Sequence, residues 1–417
     1  MPRKINDSGR AANGSGSIRK KTQQHNGKTY EYWEARCTTG FDPLTGKQLQ
    51  RTITGKTRTE VAQRLRELAC EVDSGQYIQP SQTTFADWLS DWQQNYLTSV
   101  RPSTAFLYRQ KIDKYIVPFF GKVKLSELNT TMIQRFYNSL LNPAQSGVSP
   151  LSPKTVKDIH GVIHQALDQA VANGEMRINP STSCKLPKIP KAEIKPLEEK
   201  QITAFLQAIQ GHPHEYLYKI AMFTGMREAE ILGLTWDCVD LDKCFIVVKQ
   251  QLRRDQEKNG DYFISTPKNG RKRVISIGPS VVQLFRLQRQ KLDAMKAVAG
   301  DMWIETPMLD MLGSTTKKAY DLVFRNEEGN RLSYRTVYDC FKRIVKGLGL
   351  PNVRFHDLRH TYAVASISSG DDIKTVQSNL GHATAAFTLD VYGHVTEQMR
   401  RESANRMENF IQSVSVQ

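Results

Sequence analysis

Residues 224–234 read Thr-Gly-Met-Arg-Glu-Ala-Glu-Ile-Leu-Gly-Leu. A glycine breaks one helix there and an arginine opens the next, so the stretch predicts a helix over 214–224, a kink at Gly225 and a second helix over 228–235. An arginine at such a junction can point its fork away from the core. It can equally lie on the surface and pair with Glu230 at i+3. Upstream, residues 200–210 carry helical spacing. Downstream, 244–251 (CFIVVKQQ), 261–266 (DYFIST) and 273–277 (RVISI) read as strands, and the rest of the chain reads as helix.

Before this region, residues 184–197 (CKLPKIPKAEIKPL) are rich in Pro and Lys without periodicity, which predicts an extended linker. Residues 80–183 read as a helical unit, with Phe85, Trp88, Leu89, Trp92 and Tyr96 on one apolar stripe and further helices near 103–117, 129–142 and 152–173. Residues 1–79 begin with a Gly/Ser/Asn-rich basic arm. They continue as strands over 17–22, 29–38 and 48–54, then a helix that Thr57 or Thr59 can cap. The expected fold is multidomain α+β. It has a three-stranded sheet with one helix over 1–79, a helical domain over 80–183, a linker over 184–197, and a mainly α domain with a small antiparallel sheet over 198–417.

Fifty-eight Lys+Arg against 42 Asp+Glu give a net charge of +16, which points to a polyanionic partner. The surplus is +6 over 1–79, +6 over 80–196 and +4 over the longer remainder. No run approaches the ~18–20 apolar residues of a membrane span, and the polar N-terminus has no apolar signal core, so a cytoplasmic protein is expected. The six cysteines form no C-x-x-C pair and no zinc spacing, which reads as reduced thiols.

Two further segments stand out: His356-Asp357-Leu358-Arg359-His360-Thr361, and Leu380-Gly381-His382-Ala383 followed by Tyr392-Gly393-His394. Alone, a His-x-x-Arg is more often a solvated face than a site. Together, these segments supply what metal-free phosphodiester chemistry needs. Arginine forks clamp phosphate oxygens, imidazoles exchange protons near neutrality, and a tyrosine hydroxyl can attack phosphorus and conserve the bond as an ester. The sequence has no P-loop, no H-E-x-x-H and no carboxylate cluster of the two-metal kind, though scattered carboxylates can converge in space; metal-free phosphodiester exchange calls for neither a metal nor a cofactor.

Residues 224–234, 266–268, 356–361, 380–382 and 392–394 resemble, in order and spacing, the signature boxes of the tyrosine recombinases. The whole chain resembles the integrases of temperate phages and conjugative transposons, and in particular the conjugative-transposon integrases of Gram-positive bacteria. The resemblance implies an arm-type DNA-binding domain, a core-binding domain of SAM-like type and a catalytic domain. It implies Tyr392 as nucleophile, Arg227 and Arg359 on the scissile phosphate, His382 as a further hydrogen-bond donor to it, and His356 near the tyrosine hydroxyl. Lys268, in the turn 266–270 between two strands, would protonate the leaving 5′ oxygen. Arg271, Lys272 and Arg273 crowd the same turn as alternative phosphate contacts. Glu230 would support the first arginine.

The reaction so implied passes through a 3′-phosphotyrosine and a Holliday junction in a homotetramer on duplex DNA carrying core and arm sites. An excisionase and a host DNA-bending protein are further implied partners. Residues 397–414 would form a helix whose Met399, Met407, Phe410, Ile411 and Val414 pack either on a neighbouring subunit or on their own domain. Elsewhere, Arg19, Lys20, Lys21, Arg36 and Arg51 would set the small sheet against DNA. Arg101, Arg109, Lys111, Lys114, Lys154 and Lys157 would track phosphates. Alternatives are a type IB topoisomerase-like enzyme, which would relax supercoils without recombinant product, and a silent DNA-binding regulator.

Overall fold

The computed structural model describes residues 17–25, 28–41, 45–75, 77, 82–143, 149–190, 196–255, 260–268, 270–310, 316–381 and 396–415. The chain divides into two compact units, Met1–Pro190 and Lys191–Gln417.

The first unit opens with an antiparallel sheet of β1 (Ser17–His25), β2 (Lys28–Phe41) and β3 (Gln48–Gly55) in that order. The helix α1 (Arg58–Asp73) covers one face, because Val61, Leu65 and Leu68 line up at helical spacing and bury Ala35, Cys37 and Ile53. Thr57 is the cap: its hydroxyl accepts from the Glu60 N–H at 3.2 Å.

The pairing register sorts the basic residues. Ile18 and Lys20 oppose Ala35 and Trp33 on the helix side. Arg19 and Lys21 oppose Glu34 and Tyr32 on the open side, which Arg36 shares. The five basic residues expected together are therefore split, since Arg51 opposes Cys37 on the helix side.

The helical part follows as α2 (Phe85–Asn95), α3 (Pro102–Lys111), α4 (Val117–Phe120), α5 (Thr130–Leu141) and α6 (Pro153–Ala172). The indole of Trp88 donates to the Ala166 carbonyl at 2.9 Å, tying α2 to α6. The single helix predicted near 103–117 carries a π-helical turn over Ile112–Ile116. Pro118 explains it: proline has no N–H for the carbonyl four residues back, and one wider turn absorbs the mismatch.

The second unit packs α7 (Glu199–Ala208), α8 (Glu215–Thr224), α9 (Glu228–Leu232), α10 (Pro279–Ala299), α11 (Tyr334–Gly347) and the start of α12 (Phe355–Ser368) around one core, while α13 (Ile373–Leu380) packs on the rest of α12 through a smaller cluster of Ala363, Ile367, Val376 and Leu380. Phe205, Tyr218, Phe341 and Phe355 form its aromatic centre, and the Tyr218 hydroxyl donates to the Val337 carbonyl at 2.9 Å.

Two small sheets replace the one expected. β4 (Val239–Asp240), β5 (Phe245–Val248) and β8 (Arg273–Ser276) form the first. β6 (Gln251–Arg254), β7 (Tyr262–Ser265), β9 (Met308–Asp310) and β10 (Lys317–Lys318) form the second, with β7 and β9 parallel. The run 244–251 therefore breaks in two. Gln250 is buried and its amide donates to the Gly233 carbonyl (2.9 Å) and to Thr235 Oγ1 (3.1 Å), which diverts the strand between sheets. Gly233 is needed there, since a Cβ would overlap the Leu252 nitrogen. The last helix, α14 (Thr396–Ser415), leaves Met407, Phe410, Ile411 and Val414 exposed.

Candidate active site

The helix α8 ends at Gly225 in the left-handed conformation (φ 63°). Glycine is required twice over, because a Cβ would overlap Tyr362 Cδ1 and come within 2.9 Å of Leu380 Cδ2. The reversal sets Arg227 at the N-cap of α9. Glu230, on the first turn of that helix, accepts from the Arg227 backbone N–H at 2.9 Å and from its Nη1 at 2.8 Å. The i+3 pair considered from the sequence therefore forms, but Glu230 is fully buried rather than on a solvated face.

Arg359 comes from α12 and is 2% exposed. Its Nη1 donates to the Gly225 carbonyl at 2.7 Å, and its Nη2 to the Leu380 carbonyl. Arg227 Nη2 lies 3.4 Å from the next carbonyl, Gly381. Arg273, from β8, donates through Nε to the Asn379 carbonyl at 2.7 Å. Three arginines from separate elements thus converge on three successive carbonyls at the C-terminus of α13. That end carries the negative pole of the helix, which favours cations. Gly381 closes the helix in the left-handed region (φ 66°) and His382 follows directly. His382, Tyr392 and His394 lie outside the described residues.

Arg273, expected on DNA, is turned inward, with its side chain 8% exposed. Nη1 and Nη2 fork onto Glu230 at 2.9 and 2.6 Å. Burial pushes the Glu230 carboxyl up, but the hydrogen bonds and charges of Arg273 and Arg227 outweigh it and hold the group at about 2. Sequence alone could not pair Arg273 with Glu230, since 43 positions separate them.

His356 stands at the start of α12, its ring 4.9 Å from that of His360. Desolvation and the neighbouring His360, Arg359 and Arg227 lower its pKa to about 4. Lys268 is exposed, and so are Arg271 and Lys272. Their turn joins β7 of one sheet to β8 of the other rather than closing a hairpin, and Gly270 N–H to the Pro267 carbonyl (2.8 Å) shapes it.

In the first unit Arg101, Arg109, Lys114, Lys154 and Lys157 are exposed and Lys111 is half-buried. Lys154 pairs with Asp158 at 3.3 Å, and Lys114 lies over the Tyr115 ring. Lys20 pairs with Glu31 at 2.7 Å and Lys21 with Glu34 at 2.9 Å. Among the described residues no group of three or more His, Cys, Asp or Glu side chains could hold a metal ion, and no helix is long and apolar enough to cross a membrane.

Chemically, the described site is a cluster of guanidinium groups anchored from behind by carbonyls and one carboxylate, with a neutral imidazole beside it. Such a cluster suits an anionic oxygen pair.

The model of the phage integrase family matches residues 195–399, and that of the phage integrase N-terminal SAM-like domain matches residues 84–141. The chain is 27% identical over 401 residues to a tyrosine recombinase XerC-like protein of Caldanaerobacter subterraneus, covering 92% of this chain and 97% of that one. It is 23% identical over 380 residues to the ICEBs1 integrase of Bacillus subtilis, covering 89% and 95%. The fold is similar to that of the Tn1549 transposon integrase, solved in complex with transposon right end DNA. That likeness has a TM-score of 0.64 at 20% identity and covers 78% of this chain and all of the other.

Proposed function

The chain belongs to the phage integrase family of tyrosine recombinases and is a DNA breaking and rejoining enzyme; from that premise we propose that Tyr392 is the nucleophile of a site-specific integrase. The Tyr392 hydroxyl attacks the scissile phosphorus, forming a 3′-phosphotyrosine ester and expelling the 5′ oxygen, which Lys268 protonates. Arg227 and Arg359 grip the non-bridging oxygens, and their charge stabilises the pentavalent transition state. His382 donates a further hydrogen bond, and His356 accepts one from the tyrosine hydroxyl. The 5′ hydroxyl of a partner duplex then attacks the ester and frees Tyr392. Each step exchanges one phosphodiester for another, so the energy of the bond is retained. Two such rounds pass through a Holliday junction.

The observation that carries this reading is the convergence of Arg227 and Arg359 on the carbonyls of Leu380 and Gly381, immediately before His382. Residues 1–79 bind arm-type sites, 80–183 bind core sites, 184–197 link them to the catalytic segment 198–417, and the enzyme acts as a tetramer on DNA. The exposed Met407, Phe410, Ile411 and Val414 of α14 supply an apolar face for a neighbouring subunit. The product is insertion or excision of a mobile element in a bacterial cytoplasm, with an excisionase and a DNA-bending protein as partners. Tyr392→Phe is the test: it keeps duplex affinity and loses all covalent complex. A covalent complex persisting in that variant overturns the assignment.

A further inference from the structure

Glu230 is the shared partner of two arginines, and the sharing is unequal. Arg273 takes both carboxylate oxygens, Nη1 to Oε1 at 2.9 Å and Nη2 to Oε2 at 2.6 Å. The Arg227 side chain reaches only Oε1, through Nη1 at 2.8 Å, and 21% of it remains accessible. Arg273 also spends its Nε on the Asn379 carbonyl at 2.7 Å, so all three of its nitrogens are committed inside the protein. It packs beneath the turn that leads to His382: a Cβ on Gly381 would stand 3.0 Å from Arg273 Cδ and 3.3 Å from its Nη1.

The arrangement bears on charge. One carboxylate facing two guanidinium groups leaves a net positive charge at the cluster. One carboxylate facing Arg227 alone closes into a neutral bidentate pair, the preferred geometry of such partners. Glu230 would then fully compensate the Arg227 charge, and the Arg227 fork would face Glu230 instead of a phosphate. A lysine at 273 could not substitute, because a single ammonium cannot occupy both oxygens.

We propose that Arg273 is a positioning residue for strand cleavage, occupying Glu230 so that the Arg227 charge is not fully compensated and its fork stays turned toward the scissile phosphate. The proposal rests on the phosphoryl-transfer reading above and adds that Arg273 acts through Glu230 rather than on DNA. Arg273 also begins the strand that follows the Lys268 turn, so the same contact pins the base of that turn to α9.

The test uses the full chain with a nicked suicide duplex, measuring equilibrium DNA affinity and the rate of covalent complex at saturating DNA. Arg273→Ala is expected to cut the rate about a hundredfold or more, on the scale of losing one transition-state charge, with affinity within about twofold of wild type. Glu230→Gln combined with Arg273→Ala is expected to recover to within about tenfold of wild type, since a neutral amide cannot compensate the Arg227 charge. A role in packing alone predicts a double variant no better than Arg273→Ala, and that result overturns the proposal. A DNA contact predicts weaker affinity, a salt slope smaller by about one and an unchanged saturated rate, which also overturns it.

Should Arg273→Ala not fold, Arg273→Lys decides: a rate loss of about tenfold at unchanged affinity supports the proposal, and wild-type rate refutes it. A wild-type protein that forms no covalent complex would instead refute the reaction itself.

Discussion

Replacing Gly225 by alanine should damage both the fold and the site, and its cost divides into two parts. The first is backbone: φ is 63°, where an L-residue with a Cβ loses about 1–2 kcal/mol. The second is steric: the new Cβ overlaps Tyr362 Cδ1 and comes within 2.9 Å of Leu380 Cδ2, and overpacking of that kind costs about 1–3 kcal/mol. The expected total is about 2–5 kcal/mol. Gly211 isolates the first part, because it has φ +74° and, among the described residues, nothing within 4 Å of the place its Cβ would take. Gly211→Ala should therefore lose only the backbone contribution of about 1–2 kcal/mol.

Urea and thermal unfolding of both variants give the comparison. The covalent-complex rate under folding conditions gives the second readout. Gly225→Ala should lower that rate even where folded, because the Gly225 carbonyl holds Arg359 at 2.7 Å, whereas Gly211→Ala should not. Equal losses of stability in the two variants, or a Gly225→Ala protein with wild-type activity, would refute the packing argument.

Other expectations follow from the same geometry. Burial raises the Glu228 carboxyl to about 7, and its Oε1 is buried with no hydrogen-bond partner among the described residues. An acid whose folded pKa lies above its unfolded value loses stability as pH rises between the two, so Glu228→Gln should raise the melting temperature near pH 8 by the equivalent of about 2–3 kcal/mol and leave it unchanged near pH 4; equal shifts at both would refute it. His356, lowered to about 4, is neutral across the working range, so the cleavage rate should show no His356-dependent inflection between about pH 5.5 and 8. An inflection near 6.5 that vanishes in His356→Gln would contradict this. Arg19→Ala, Lys21→Ala and Arg36→Ala, which share the open face of the small sheet, should each reduce the salt slope of DNA binding by about one. Arg51→Ala, on the helix side, should change it little; the opposite ranking would reverse the docking face.

Much of this was legible in the sequence. The kink at Gly225, the helix that presents His356 and Arg359, and the aromatic stripe of α2 follow from glycine placement and helical spacing, which are local. The strands were less so. Residues 244–251 form one uninterrupted β-favouring run, and only the tertiary hydrogen bonds of buried Gln250 split it between two sheets. The short strands β9 and β10 have no periodic signal of their own. Arg273 was misplaced for a related reason: beside Arg271 and Lys272 it reads as part of an exposed basic turn, and strand geometry alone turns it inward to Glu230. The +16 surplus pointed to the partner, while the reaction depends on where a few of those charges are held.

The most direct measurement is a map of the covalent linkage. The full-length protein is incubated with a nicked suicide duplex carrying its attachment site, the complex is trapped and digested, and the DNA-bearing peptide and the DNA end are identified. A single adduct is expected, Tyr392 joined to a 3′ phosphate with a free 5′ hydroxyl on the released strand. An adduct on any other residue, a 5′-phosphate linkage, or cleavage without a covalent intermediate would contradict it.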